Sequence, residues 1–158
     1  MSSSECLCVS CQANIQATLR PGIWIPGLRN LHYKEELWDL EYKPDEAFDI
    51  VSRAVQRKQD KWKWHIRKLD KTLRFVQLYV LSKYNWLDVV EIRLKSQEQW
   101  SQARVRSFSS GIFPVCIPLS PFLSALFCFI PYTDGGINQK RLDSLRVESN
   151  AALSVFDS

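Results

Sequence analysis

A long stretch without any charged side chain is the feature that most constrains how this chain can fold. Residues 107–133 contain no Asp, Glu, Lys or Arg, and residues 111–132 are mostly apolar. A transmembrane helix needs about 20 consecutive apolar residues, so length alone would fit one. However, Pro114, Pro118 and Pro121 interrupt the first half of the stretch. Each proline removes a backbone donor and keeps the preceding residue out of the helical region.

The longest helix that this stretch allows has Ser120 as its N-cap and Pro121 in its first position, and it ends before Pro131. A helix of about ten residues spans about 15 Å, half of a hydrocarbon core of about 30 Å, so a complete membrane crossing is not expected. The helix is apolar on nearly all sides, which indicates burial in protein or in lipid. The stretch therefore either completes the core or forms a membrane or partner contact. Its large apolar side chains are Phe113, Phe122, Leu123, Leu126, Phe127, Phe129 and Ile130.

The rest of the chain predicts an α+β fold. A helix is expected over residues 45–58, where Ala47, Phe48 and Val51 begin an apolar stripe with helical spacing. About four strands follow, and their short connections predict an antiparallel meander. They lie near residues 61–67, 72–81, 88–95 and 100–108. A second helix, over residues 137–148, is expected to pack on the sheet with the first.

The predicted domain organisation has three parts. Residues 44–148 form a single α+β domain, in which residues 111–132 are an apolar insertion. Residues 1–43 contain two Pro-Gly turns and are expected to be an irregular arm. Residues 149–158 are expected to be a frayed tail.

The middle of the chain is strongly basic. Residues 53–106 hold 14 Lys and Arg against 5 Asp and Glu, a balance of +9 within a chain whose net charge is +4. A block of this kind attracts anionic partners, and the strand alternation places part of it on one sheet face. The residues predicted to face an anion are Lys61, Lys63, Arg67, Arg93, Lys95 and Arg104. Nucleic acid is not expected as the partner, because the neighbouring tryptophans alternate onto the opposite face and cannot stack bases beside these charges.

The five cysteines are Cys6, Cys8, Cys11, Cys116 and Cys128. The first residues lack the basic start and apolar run of a signal peptide, so a cytoplasmic protein with free thiols is expected. Reversible acylation of the three N-terminal cysteines would fit a protein at a membrane surface. A metal site would need a fourth ligand that is not evident, so neither a metal nor a cofactor is predicted.

No group of residues with a recognisable catalytic pattern stands out, so the sequence does not favour an enzymatic function. His32 and His65 are the only histidines, and the glycines at positions 135 and 136 lack the Lys-Ser/Thr of a phosphate loop. A polar cluster is nevertheless expected where the fourth strand and the last helix approach each other. It is predicted to contain Asp88, Arg106, Ser107, Ser109, Asp134, Asn138 and Arg141. Such a cluster forms either a capping and ion-pair lock or a small-ligand site.

Three runs of the sequence resemble a known family. They are residues 85–94, 105–109 and 134–141, which contain an Arg-Ser-x-Ser strand end and an Asp-x-Gly-x-Asn-x-x-Arg helix start. This pattern is similar to that of the family called domain of unknown function 1499, over roughly residues 38–146. The resemblance supplies no activity, since the family has no established function. It implies that residues 111–132 are an insertion, because the family usually joins the last two motifs by a few residues.

The favoured function from sequence is a non-enzymatic module that associates with a membrane surface or contacts lipid. The apolar insertion and the basic block are the two features that favour it. One alternative is a protein-interaction module that docks through residues 111–132. The other is a small-ligand binder at the polar cluster beneath the insertion.

Overall fold

The computed structural model describes residues 3–82, 84–97 and 100–153, and the side chains of residues 11–82, 84–97 and 100–152. Its helices are α1 (Ser3–Leu19), α2 (Pro26–Arg29), α3 (Pro44–Trp62), α4 (Ser120–Leu126) and α5 (Ile137–Glu148). Its strands are β1 (Tyr33–Leu40), β2 (Trp64–Asp70), β3 (Phe75–Leu81), β4 (Leu87–Ser96), β5 (Ser101–Ser109) and β6 (Ala152–Leu153). A short 3-10 helix, Pro21–Ile23, follows α1.

The strands form one antiparallel sheet in the order β2-β3-β4-β5-β1-β6. The predicted meander corresponds to β2 through β5, and the α+β class with a helix-covered antiparallel sheet is confirmed. Two further strands were missed. β1 pairs with β5 along its whole length, and β6 pairs with Trp38 and Asp39 of β1.

The segment predicted to be an irregular arm instead contains α1 and β1. In β1, Glu36, Trp38 and Leu40 alternate onto the core side, which is the two-residue period of a half-buried strand. The predicted frayed tail also has structure where Ala152 and Leu153 form β6, while residues 154–158 lie outside the described residues.

The predicted first helix is longer than the sequence indicated. Pro44 stands in its first turn with Asp45 and Glu46, as expected, but the helix continues to Trp62. It ends because Lys63 adopts a left-handed conformation with φ of 52°. The alternation of residues 61–67 therefore gave the wrong start for the first strand, and β2 begins at Trp64.

The main core lies between one face of the sheet, here the inner face, and the helices α3 and α5. It contains the apolar stripe of α3, inward residues of all five long strands, and Leu142 and Leu145 of α5. The largest of its fully buried side chains are Trp38, Trp64, Phe48, Leu40, Leu78 and Ile92. Ile137, the first residue of α5, lies outside this core and is 42% exposed.

The opposite, outer face of the sheet is covered at one end by α1. Ala13 and Ala17 of α1 pack on a second apolar cluster that includes Leu87, Val89 and Phe108. Alanines at these positions allow the helix backbone to lie close to the sheet. The remaining part of the outer face, towards Lys95 and Arg104, is not covered by α1.

The apolar stretch forms only a short helix, α4, with Leu119 at its N-cap in a left-handed conformation (φ 61°). The predicted N-cap, Ser120, is instead its first residue and is fully buried. Two glutamines of α1 hold the stretch. Gln12 donates to the Val115 carbonyl at 3.0 Å and accepts from the Ser120 amide at 3.2 Å. Gln16 donates to Ser110 Oγ at 3.1 Å.

Candidate functional site

Six of the seven predicted polar-cluster residues lie on the inner side of the sheet near the start of α5. The centre is a buried ion pair in which Arg141 Nη1 donates to Asp88 Oδ2 at 2.7 Å. Ser109 Oγ donates to the other oxygen, Asp88 Oδ1, at 2.6 Å. Asp88 stands directly opposite Ser109 in the β4–β5 ladder, so the strand register brings these two side chains together.

A second group of contacts joins β5 to α5. Ser107 Oγ donates to Asn138 Oδ1 at 2.6 Å, and Asn138 Nδ2 donates to the His32 carbonyl at 2.8 Å. Asp134 accepts from the backbone amides of Gly136 at 3.0 Å and of Asn138 at 2.8 Å. These bonds satisfy donors at the helix start that have no partner within the helix. Together the two groups lock α5 onto the sheet.

Arg106 does not belong to this cluster, so that prediction is wrong. It stands opposite Glu91 in the ladder, on the outer face. Its neighbours Val105 and Ser107 point to the inner face, because successive side chains of a strand alternate. Its guanidinium lies 3.2 Å from Glu35 Oε1.

A cavity of about 290 Å³ opens beside the cluster. Asp88, Ser109 and Asp134 of the cluster line it, and apolar side chains form most of the remaining wall. The residues that complete the lining are Ser82, Trp86, Gly111, Ile112, Tyr132, Thr133 and Ile137. The cavity therefore lies where strand β4, the ends of the apolar stretch and the start of α5 meet.

The aromatic walls of the cavity are fixed by hydrogen bonds and stacking. The Trp86 indole donates to the Ile112 carbonyl at 2.8 Å. The Tyr132 ring stacks on His32 at 4.0 Å between centroids, and its hydroxyl donates to the Ser109 carbonyl at 3.4 Å. Burial raises the pKa of Tyr132 well above its ordinary value, and the negative charges of Asp88 and Asp134 add to the shift. The hydroxyl is thus protonated at all physiological pH values.

The large side chains of the apolar stretch divide into two sets. Phe113, Leu123 and Phe127 are half-buried, and the Phe113 and Phe127 rings pack at 5.7 Å between centroids. The other set forms an exposed surface, here called the apolar patch: Leu119 at 66%, Phe122 at 60%, Leu126 at 66% and Phe129 at 61% exposed. Ile130, also predicted as a contact, is 37% exposed.

The predicted anion-facing residues are only partly brought together. Lys61 lies in α3 and Lys63 at its end, so neither is on the sheet, because α3 extends beyond its predicted end. Arg67 is on β2, where its Nε donates to Asn14 Oδ1 of α1 at 2.9 Å. The remaining three, Arg93, Lys95 and Arg104, line one concavity on the outer face together with Arg106 and Arg20.

No helix within the described residues is both long and apolar enough to span a bilayer. Nor do the described side chains include three His, Cys, Asp or Glu grouped so as to hold a metal ion. Cys11 and Cys116 are exposed free thiols, and Cys128 is a half-buried one. The side chains of Cys6 and Cys8 lie outside those that the structure describes.

Several lining residues of the cavity were missed by sequence reasoning. Neither Trp86 nor Tyr132 was predicted to belong to a site. The available signal was that both aromatic residues flank motifs of the polar cluster, Trp86 two positions before Asp88 and Tyr132 two positions before Asp134.

No protein family model and no curated protein matches this chain, so the resemblance to the domain of unknown function 1499 family stays a prediction. Among solved structures, that of Ara h 8.0201 aligns with a TM-score of 0.45 at 10% identity, over 75% of this chain and 95% of that one. Zhui aromatase/cyclase from Streptomyces sp. R1128 aligns with a TM-score of 0.42 at 12% identity, over 75% and 93%. An uncharacterised protein from Bacillus thuringiensis aligns with a TM-score of 0.42 at 9% identity, over 75% and 98%. No function follows from likenesses at this level.

Proposed function

We propose that the protein binds a compact, mostly apolar small molecule carrying a positively charged nitrogen, in the cavity between Trp86 and Tyr132. The observation that carries this proposal is the composition of the cavity wall. It combines aromatic and aliphatic side chains with the carboxylates of Asp88 and Asp134, and its described lining residues include no Lys or Arg.

The size and apolar character of the cavity limit the ligand. Small-molecule sites occupy about 300–1,000 Å³, and the cavity of about 290 Å³ lies at the lower limit. Such a site accommodates a single ring with a short side chain. The faces of aromatic rings also attract cations, which favours an ammonium group over a neutral one.

The two carboxylates differ in how much charge they leave for a ligand. Asp88 is buried and already paired with Arg141, so its negative charge is largely compensated. Asp134 is half-buried, accepts hydrogen bonds from two backbone amides, and forms no ion pair with the described side chains. Each carboxylate oxygen can accept more than one hydrogen bond. We therefore assign the ammonium-facing role to Asp134.

The proposal is tested with two probes of similar shape and opposite charge, 2-phenylethylamine and 3-phenylpropionate, by isothermal titration at neutral pH. The amine is expected to bind about fivefold more tightly than the acid, since one favourable charge contact contributes about 1 kcal/mol. Ile137 lines the cavity, so replacing it by the larger Trp should reduce the cavity volume and abolish amine binding.

Val147→Trp is the matched control for the Ile137→Trp variant. Val147 lies on the same helix, is 79% exposed and is absent from the cavity wall. This variant should bind the amine like the wild type, and both variants should unfold at the same temperature. Equal binding of acid and amine, or undiminished binding by Ile137→Trp, would overturn the proposal.

A second candidate function is supported by the apolar patch. Its four side chains are 60–66% exposed and belong to a stretch without charge, whereas large contiguous apolar surfaces of proteins mark contact sites. We propose that this patch touches the surface of a lipid bilayer. Fully burying one such side chain contributes about 1.5–3 kcal/mol. The four side chains of the patch are only partly exposed, so together they would contribute about as much membrane affinity as a single myristoyl chain. Such a chain binds membranes weakly, with an association constant of about 10⁴ M⁻¹.

The membrane contact is tested by flotation with neutral phosphatidylcholine vesicles, which isolate the apolar contribution from the basic residues. The wild type is expected to float in proportion to lipid concentration, and Phe122→Asp/Leu126→Asp should stay at the bottom. The control is Leu73→Asp at the β2–β3 turn, where Leu73 is 61% exposed at the opposite end of the strands. If none of the three proteins floats with lipid, the proposed membrane contact is wrong. If the wild type instead associates with another protein in the absence of lipid, the patch is a protein-binding surface.

A further inference from the structure

We infer that the uncovered part of the outer sheet face is a binding site for a small anion that carries a phosphate group. The site, here called the basic groove, is a concavity of about 340 Å³ on the opposite face of the sheet from the ligand cavity. Five cationic side chains converge on it from α1's end and from two strands. They are Arg20, Arg93, Lys95, Arg104 and Arg106, and they share the wall with Phe75, Gln77 and Glu91.

The strand register places two like charges against each other in this groove. Arg93 of β4 stands directly opposite Arg104 of β5. Like charges directly opposite in an antiparallel pair destabilise a sheet, whereas opposite charges stabilise it. The next pair of the same face, Glu91 with Arg106, has the favourable arrangement. Each arginine has one neighbour of its own, Phe75 for Arg93 and Glu35 for Arg104. A bound anion between the two guanidinium groups would offset the repulsion that remains between them.

The carboxylates near the groove compensate only part of its positive charge. Glu91 accepts two guanidinium hydrogen bonds from Arg20, at 2.6 and 3.0 Å. Glu35 is shared by Arg104 and Arg106, each at 3.2 Å. Among the described side chains, no carboxylate forms an ion pair with Arg93 or Lys95. Five cations therefore face two carboxylates, which leaves an excess of three positive charges.

One buried donor in the groove has no hydrogen-bond partner. The Nε atom of Arg106 is buried and lies 3.2 Å from a Glu35 oxygen, but it makes no hydrogen bond. Buried donors in folded proteins are nearly always satisfied, so an unsatisfied one calls for a specific explanation. Because this atom has no accessible surface, a ligand in the groove would contact the exposed part of the same side chain, which is 34% exposed and only incompletely satisfied by Glu35.

The identity of the cations indicates the chemistry of the ligand. Four of the five are arginines, whose planar guanidinium groups bind phosphate and carboxylate oxygens through paired hydrogen bonds. Arg93 is held 5.3 Å above the Phe75 ring, which fixes the direction of its guanidinium. The groups project from strands, a rigid support for a small ligand. A compact concavity with a single ring already covered by a cation does not suit stacking of successive nucleic-acid bases.

Two sources of a phosphate group fit this groove: a soluble phosphorylated molecule and the headgroup of a phosphorylated lipid. The first probe is inorganic pyrophosphate, titrated into the wild-type chain in buffers of increasing salt. We expect binding that weakens as salt rises. Arg93→Gln/Arg104→Gln should reduce the affinity about tenfold or more, since each charge-assisted hydrogen bond to phosphate is a strong one.

The control is Arg53→Gln/Lys140→Gln, which removes the same charge from exposed positions on α3 and α5. It should bind pyrophosphate like the wild type. Without ligand, Arg93→Gln/Arg104→Gln should unfold at the same temperature as the wild type or higher, since a repulsion has been removed. A purely structural role for the two arginines predicts a lower unfolding temperature instead.

The lipid source is examined with phosphatidylcholine vesicles, with and without a phosphatidylinositol monophosphate. Flotation that requires the phosphorylated lipid and is lost in Arg93→Gln/Arg104→Gln supports the headgroup as ligand. Pyrophosphate binding without such flotation supports a soluble ligand. The inference is overturned if neither probe binds, if the control loses binding as much as the groove variant does, or if single-stranded RNA binds with an affinity that rises with its length.

Discussion

Replacing Arg141 by Met is expected to lower the free energy of unfolding by about 3–5 kcal/mol, the cost of leaving a buried charge without its partner. The side chains of Arg141 and Asp88 are only 6% and 12% exposed, and their ion pair at 2.7 Å joins α5 to β4. Methionine preserves much of the side-chain volume, so the loss reports the charge rather than an empty space. Urea denaturation of the two proteins measures the difference.

The neighbouring variant Lys140→Met serves as the control, because Lys140 is exposed on the same helix. It should change the free energy of unfolding by less than about 0.5 kcal/mol. Asp88→Asn alone should also be costly, and combining it with Arg141→Met should cost less than the sum of the two, because no unpaired charge remains. A loss below about 1 kcal/mol for Arg141→Met would show that the pair behaves like an exposed salt bridge.

Replacing Gly22 by Ala is expected to destabilise the fold by about 3 kcal/mol, at the upper end of the range for an overpacked site. A Cβ atom at Gly22 would lie 2.4 Å from the Ser109 carbonyl oxygen and 2.5 Å from the Tyr132 hydroxyl. The Ser109 carbonyl belongs to the backbone at the end of β5 and cannot move without disturbing the sheet. Thermal unfolding monitored by circular dichroism tests this expectation.

Gly27→Ala provides a matched control, since a Cβ atom there meets nothing within 4 Å. It should leave the stability unchanged or raise it by about 0.4–1 kcal/mol through the unfolded state. Adding Tyr132→Phe to Gly22→Ala should recover only part of the loss, because the contact with Ser109 persists. If Gly22→Ala unfolds at the wild-type temperature, the close approach of the N-terminal segment to β5 is wrong.

The meander and the two core helices could be predicted because their patterns are local. Residues 88–95 alternate with the period of a strand, and the apolar positions of α3 repeat with the period of a helix. Both patterns are set by which side chains face one core. The α5 boundaries were also predictable, because the Asp134 motif supplies the cap that begins this helix.

The covering of the outer face could not be predicted in the same way. α1 contacts the apolar stretch through hydrogen bonds from the side chains of Gln12 and Gln16. Isolated polar contacts of this kind produce no periodic pattern in the sequence. β1 joins the sheet beside β5, so its partner lies far along the chain. The placement of Arg106 was predictable in principle: strand alternation puts it on the opposite face from Ser107 and Ser109.

The docking of α1 also has a consequence for the order in which the chain folds. Its two glutamines bond to residues 103 and 94 positions later, Val115 and Ser110. Contacts between such distant residues require closure of a long loop and form slowly. During synthesis, α1 finds its partners only after both β4 and β5 and the first part of the apolar stretch have left the ribosome. Until then, the apolar cluster around Leu87 and Phe108 on the outer face is exposed to water. A chaperone that binds apolar surface would therefore find the largest target during this interval.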